Sequence, residues 1–430
     1  MKRFVFFRAA FAAVLVSPAP VLADAHLPVA ETKTREMVVT ANPLATKAGE
    51  DILKQGGTAV DAMIAVQTVL GLVEPQSSGI GGGAFVVYYD AENDELITID
   101  ARETAPIAAD EGRFAEFSGL PGFFNAWQSG LSVGVPGIPA MMEDLHERYG
   151  NKPWQRLFVP AKTLAQGGFE LTERTSSQID GLLVRNESCS DRLFFRDPTA
   201  FQYFTNGDLG EDCAAKPAGT LIRNQDYADL MKRLGQEGAV GFYEGPVAQA
   251  VVEAVQTDPN IPGDMILQDL STYMAIEREP VCLEYRGYDV CGMGPPSSGA
   301  LAVGQILGIL ENFNLALEDG PLDEDVVHLF TQAGRLAFAD RNLYVGDTDY
   351  VTVPVEGMLE DDYLSERAAL ITDVDLGTAE AGTPPGEFDP TAPQAASTDN
   401  GTSHVSIVDR YGNALSMTTT IESSFGNGVM

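Results

Sequence analysis

The sequence predicts an α+β fold, and three observations carry that prediction. Near the end of the chain, residues 404–408 and 414–420 are rich in Val, Ile, Thr, Ser and Met. Residues 409–413 between them supply the Gly and Asn of a turn, so the two runs make a β-hairpin whose first strand opens on Thr402. Residues 58–72 are apolar around most of a helical circumference, with Asp61 the exception, which describes a helix buried on most sides. Two further apolar runs, 85–89 and 96–100, have the length and composition of strands. A chain of 430 residues with 44% apolar content can bury a sizeable core, so this is not a disordered protein.

Taken in order, residues 1–25 read as a secretory signal. Lys2, Arg3 and Arg8 precede the apolar run 9–16, and Ala23-Asp24-Ala25 supplies a small-residue cleavage site. That run is too short to span a membrane, so the expected product is exported, periplasmic or extracellular, and carries no membrane span. The net charge of −35 excludes nucleic acid as a partner and is assigned to solubility. A strand is expected over 36–40, a turn at Asn42-Pro43, then helices over 45–54 and 58–72, split by Gly56-Gly57 and with Thr58 as the second N-cap.

In the following Ser77-Ser78-Gly79-Ile80-Gly81-Gly82-Gly83-Ala84, the residues Gly79, Gly81 and Ala84 formally match a dinucleotide fingerprint. That motif needs strand, glycines, then helix, whereas here the order is helix, glycines, strand, so the nucleotide reading is rejected. The glycines instead admit close approach of backbone, to another strand or to a substrate. The strand over 96–100 runs out into Arg102, which is either a surface salt-bridge partner or a guanidinium fork placed for a carboxylate. Helices follow Gly137 and Pro160, and 171–280 is mixed and mainly helical without an assignable motif. Gly294-Pro295-Pro296-Ser297-Ser298-Gly299 stops a strand and opens a helix over 300–313. Another helix covers 325–340, and 372–401 is a Pro/Gly/Ala/Thr-rich linker.

Four cysteines in an exported chain suggest two disulfides. A two-residue turn at Arg286-Gly287 would set Cys282 opposite Cys291 in a non-hydrogen-bonded antiparallel pair, where the Cα separation of about 4.5 Å lets a bridge close. Cys189 and Cys213 would then be the second pair. None of these has metal-ligand spacing, and His26, His146, His328 and His404 are scattered, so neither a metal site nor a cofactor is expected.

The chemistry is expected at Thr402. No cysteine is left free beside a histidine, and there is no metal cluster. A threonine where a linker meets a buried strand becomes a nucleophile if the chain is cut at its amide, because the freed α-amine can serve as its own base. Its reference pKa of roughly 7.7–8.0 suits that task. Gly401 has no Cβ to hinder a strained scissile peptide. Thr420, in Thr418-Thr419-Thr420, returns along the hairpin toward Thr402, where its hydroxyl can hold the other.

On these residues the chain resembles the gamma-glutamyltransferase (glutathione hydrolase) family of N-terminal nucleophile hydrolases. The resemblance rests on Thr402-Ser403-His404 with Ser406 to Asp409 and Gly412-Asn413, and on Thr418 to Gly426. It extends to Gly56 to Ala62, Ser78 to Gly83, Asp100-Ala101-Arg102-Glu103, Gly134-Val135-Pro136-Gly137, Pro295 to Gly299 and Ala339-Asp340-Arg341. It implies a four-layer αββα sandwich, cleavage between Gly401 and Thr402, Thr402 as nucleophile, Thr420 as its hydroxyl partner, and Arg102 on the α-carboxylate of a glutamyl group. Many members carry Asn where this chain has Glu422, a carboxylate able to pair with the substrate α-ammonium. The division implied is a large subunit over 26–401 and the start of a small one over 402–430, paired as a heterodimer. Glutathione and related γ-glutamyl compounds would be donors, with water, amino acids or peptides as acceptors. In the family the small subunit continues much further, through a serine pair and a Gly-Gly oxyanion site, so the fold is expected to be incomplete and cleavage and turnover inefficient in this chain. Two rival readings are a glutaryl-type acylase with the same nucleophile and a non-catalytic exported relative.

Overall fold

The hairpin at the end of the chain forms the middle of a six-stranded antiparallel sheet. Its order is Met37–Val39, Thr402–Val408, Ala414–Thr420, Gly83–Asp90, Glu95–Ala101 and Ile276–Arg278. This computed structural model describes residues 36–117, 122, 125–184, 197–206, 214–315, 323–389 and 401–429. The signal segment, the Cys189 and Cys213 pair and part of the linker lie outside the described residues.

Alternation along the strands decides what each face does. Val405, Ile407, Leu415, Met417, Val86, Tyr88, Ile97 and Ile99 point to one side and are buried against helices, in one apolar cluster with Val60, Ile64 and Val66. The other face carries Thr402, His404 and Ser406 opposite Thr420, Thr418 and Ser416, and is largely polar at the hairpin.

The helix beneath the sheet, Ala59–Val73, is buried almost throughout, as its all-round apolar sequence requires. Thr58 caps it in a reciprocal box with Asp61. Asp61, the one charge on that surface, is fully buried and also accepts the backbone N–H groups of Asn151 and Lys152. The hairpin turn is fastened to the start of the same helix. Asp409 Oδ2 accepts the N–H of Ala59 at 2.9 Å, while Oδ1 accepts those of Tyr411 and Asn413. A carboxylate at a helix N-terminus is favoured by the exposed N–H groups and the helix dipole.

The remaining elements lie within a few residues of expectation: Pro43–Lys54, Ile138–Tyr149, Val159–Gly167, Gly299–Glu311 and Glu324–Tyr344. The described residues of the region 171–280 are mixed and mainly helical, as read. In the strand pair Val281–Tyr285 and Tyr288–Gly292, Cys282 sits opposite Cys291. Arg286 and Gly287 both take positive φ, which a two-residue primed turn requires, and the cysteines are bridged at a Cα separation of 4.0 Å. The described part of the linker, 372–389, has neither helix nor strand. It is tied down by the buried Asp340, which accepts the Gly382 N–H and pairs with Arg367 at 3.0 Å. Among the described residues the strands outside the main sheet form only two-stranded pieces, so the second large sheet of a four-layer sandwich has no counterpart there.

Candidate active site

Antiparallel pairing places Thr402 directly opposite Thr420. Their hydroxyl oxygens are 3.2 Å apart, with Thr402 donating. Thr420 Oγ1 in turn donates to the carbonyl oxygen of Gly401 at 2.8 Å and accepts the N–H of Glu422 at 2.9 Å. One buried hydroxyl therefore touches the hydroxyl of Thr402, the carbonyl on the other side of the Gly401–Thr402 peptide, and the backbone that leads to Glu422. Hydrogen bonding to that carbonyl draws electron density from its carbon, and the neighbouring hydroxyl is the group able to attack it.

Gly401 is needed here for space. A Cβ would lie 2.5 Å from the backbone carbon of Ser423 and 2.7 Å from the nitrogen of Ser424. Its φ is outside the left-handed region, so the absent Cβ serves close packing of the 423–424 backbone and not a special φ. Gly82 and Gly83 act the same way. Gly83 pairs with Thr420, and a Cβ on Gly82 would lie 2.1 Å from the Thr420 carbonyl oxygen. Of the two expected uses, approach to another strand is the one these contacts display.

Arg102 is brought to the same end of the sheet although 300 positions separate it from Thr402. Its Nη2 lies 3.2 Å from Glu422 Oε2 and its Nε 3.5 Å from Glu103 Oε2, with the guanidinium carbon 5.8 Å from the centre of the Phe85 ring. Arg102 and Glu422 are both exposed to solvent. Glu422 has φ of +73°, uncommon for a residue with a Cβ, and this bend turns the chain after Thr420 back toward Arg102. Glu103 is more enclosed. Burial raises its pKa above the ordinary carboxylate value, Arg102 and two backbone N–H groups oppose that rise, and the Glu422 charge adds to it.

Sequence reasoning thus named four residues of one cluster, Gly401, Thr402, Thr420 and the pair partner Glu422, together with Arg102. It assigned nothing to Glu103, although it is next to Arg102, and nothing to Phe85 or to Tyr273, whose hydroxyl donates to the Arg102 carbonyl at 2.7 Å. Phe85 was readable only as a strand residue, and Tyr273 lies in the stretch without a motif. Among the described residues no group of three His, Cys, Asp or Glu side chains is placed to hold a metal ion.

The chain as a whole is similar to known proteins. Residues 45–430 match the family model described as gamma-glutamyltranspeptidase. The glutathione hydrolase proenzyme of Bacillus subtilis (strain 168) is 34% identical over 403 residues, 92% of this chain and 65% of the relative. That of Escherichia coli (strain K12) is 31% identical over 428 residues, 98% of this chain and 69% of the relative. The chain therefore spans about two thirds of the length of these curated relatives. Among solved structures, Helicobacter pylori gamma-glutamyltranspeptidase superposes with a TM-score of 0.72 at 31% identity, over 83% of this chain and 97% of that one. The cephalosporin acylase of Bacillus halodurans superposes with a TM-score of 0.74 at 28% identity, over 92% and 67%. The mixed α and β architecture is thus that of known proteins, and this chain belongs to the gamma-glutamyltranspeptidase family.

Proposed function

We propose that the chain is the precursor of a γ-glutamyl hydrolase or transferase that cuts itself between Gly401 and Thr402. The observation that carries this reading is the contact of Thr420 Oγ1 with both Thr402 Oγ1 and the Gly401 carbonyl oxygen. In the cut, Thr402 Oγ1 attacks the Gly401 carbonyl carbon, the peptide C–N bond breaks and the nitrogen takes up a proton. That frees the Thr402 α-amine, and hydrolysis of the resulting ester by water then frees the hydroxyl. Residues 26–401 and the chain from Thr402 onward stay together as large and small subunits. The free amine then removes the hydroxyl proton as Thr402 attacks the γ-carbonyl of a donor, expelling the donor's amine as a γ-glutamyl ester forms. Water or an acceptor amine releases the glutamyl group.

The substrate class is supported by the charges beside the nucleophile. Arg102 offers a forked cation for an α-carboxylate, and Glu422, 3.2 Å from it, offers an anion for an α-ammonium. A γ-glutamyl group carries both, and glutathione is the donor expected. A glutaryl group lacks the ammonium, so the acylase reading, favoured by the likeness to the cephalosporin acylase, gives Glu422 no substrate charge to meet. Export to the periplasm or exterior rests on residues 1–25. The test follows the intact mass of the chain and of its Thr402→Ala variant over days. A cut after Gly401 in the first and none in the second supports the reading, and equal cleavage in both refutes it. Turnover of γ-glutamyl against glutaryl anilides by the processed protein then separates the two substrate classes.

A further inference from the structure

Arg102 is the first residue beyond the Glu95–Ala101 strand, so its backbone has left the sheet ladder. Both of its backbone polar groups are nevertheless bonded to side chains. The N–H donates to Asp100 Oδ1 at 3.0 Å, and the carbonyl accepts the Tyr273 hydroxyl at 2.7 Å. Each of these side chains is itself held. Asp100 Oδ2 accepts Arg278 Nε at 2.8 Å, and Arg278 grips Asp349 through both terminal nitrogens. The Tyr273 ring lies nearly parallel to that of Tyr243, with centres 5.9 Å apart and planes at 6°, and Tyr243 donates to the Pro136 carbonyl at 2.7 Å. Gly137 opens the passage, since a Cβ there would lie 2.3 Å from the Tyr273 oxygen and 2.1 Å from the Ala101 oxygen.

We propose that Tyr273 is a positioning residue for Arg102, fixing the peptide from which the guanidinium reaches the carboxylate of the substrate. This rests on the reading of Arg102 as the carboxylate partner. The physical reason is leverage. Arginine has a long, flexible side chain, and among the described residues the Phe85 ring and two carboxylates meet its head, so the direction in which it projects is set at its base. Tyr273 fixes one end of that base and Asp100 the other. Burial raises the Tyr273 pKa, so the hydroxyl remains a donor throughout the working pH range.

The experiment titrates the full chain with L-glutamate and with 4-aminobutyrate, the same skeleton without the α-carboxylate, by calorimetry. Tyr273→Phe removes one oxygen and keeps the ring on Tyr243. It is expected to weaken glutamate roughly 3- to 10-fold, the range for one lost hydrogen bond, and to leave 4-aminobutyrate unchanged. Arg102→Lys should weaken glutamate at least as much, and the double variant should bind no worse than Arg102→Lys alone, because the two residues act through one contact. Asp100→Asn, which keeps an oxygen for the Arg102 amide, is the second variant should Tyr273→Phe not fold. It disturbs the other end of the same residue and should show the same selectivity. Equal weakening of both ligands by Tyr273→Phe would make Tyr273 a general structural contact and overturn the proposal. So would an unchanged glutamate affinity in Tyr273→Phe alongside a weakened one in Arg102→Lys. Unchanged affinity in Arg102→Lys instead would overturn the reading of Arg102 on which the proposal rests.

Discussion

Thr402 and Thr420 face each other across the hairpin with their hydroxyl oxygens 3.2 Å apart, and the Thr420 hydroxyl in turn donates a hydrogen bond to the Gly401 carbonyl. Replacing Thr420 by Val keeps the shape and removes this link. It removes the hydrogen bonds that the hydroxyl makes to the Gly401 carbonyl and the Glu422 N–H, about 1–3 kcal/mol for the two together. Cleavage after Gly401 should therefore slow by roughly 10- to 100-fold, while Thr420→Ser retains a measurable rate. The time course of intact mass decides, and a Val variant cut as fast as the parent would remove Thr420 from the mechanism.

Arg102 and Glu422 are expected to matter for binding and hardly at all for stability. Both are solvent-exposed, and an exposed ion pair contributes about 0–1 kcal/mol. Glu422→Gln should leave the melting temperature within a degree or two. In the processed protein, Arg102→Lys should raise KM for a γ-glutamyl anilide by about 10-fold or more with a smaller change in kcat, because an ammonium does not reproduce the fork. A large fall in melting temperature with KM unchanged would reverse both assignments.

The carboxyl of Glu103 gives a pH dependence with a definite sign. Burial raises its pKa in the folded chain, so the folded state binds the proton more tightly than the unfolded state does. Its stabilising contribution is complete below the unfolded carboxylate pKa and is lost as pH rises through the raised folded value, so at neutral pH the group disfavours folding. Glu103→Gln should accordingly raise the melting temperature at pH 7, with the advantage shrinking toward pH 4. Thermal melts of the two proteins at both pH values test this. A gain that grows toward acid would contradict the direction of the shift.

Asp409 should be the costliest single residue of the hairpin turn. It is fully buried and accepts four N–H groups, one of them from Ala59 at the start of the central helix. Asp409→Ala leaves these donors unsatisfied and should destabilise the chain by about 3–5 kcal/mol, read from denaturant midpoints. Cleavage after Gly401 should slow as well, since the turn sets the register that puts Thr402 opposite Thr420. Wild-type stability in the variant would show that the strands alone fix the register.

Elements whose causes are local are legible in the residues alone. Thr58 and Asp61 carry their own capping box, Arg286-Gly287 dictates a two-residue turn and with it the opposition of Cys282 and Cys291, and the period of the last hairpin returns Thr420 to Thr402. Each follows from backbone geometry over a few residues. Which distant segments meet at that hairpin is a matter of tertiary packing. The pairing of Gly83–Asp90 with Ala414–Thr420, and of Glu95–Ala101 beyond it, carries Arg102 to Glu422, and the packing of Tyr273 under Gly137 fixes the Arg102 backbone. No local pattern encodes these contacts. They depend on the order of strands in the sheet and on which apolar face each buries, and that choice is settled by the packing of the whole core.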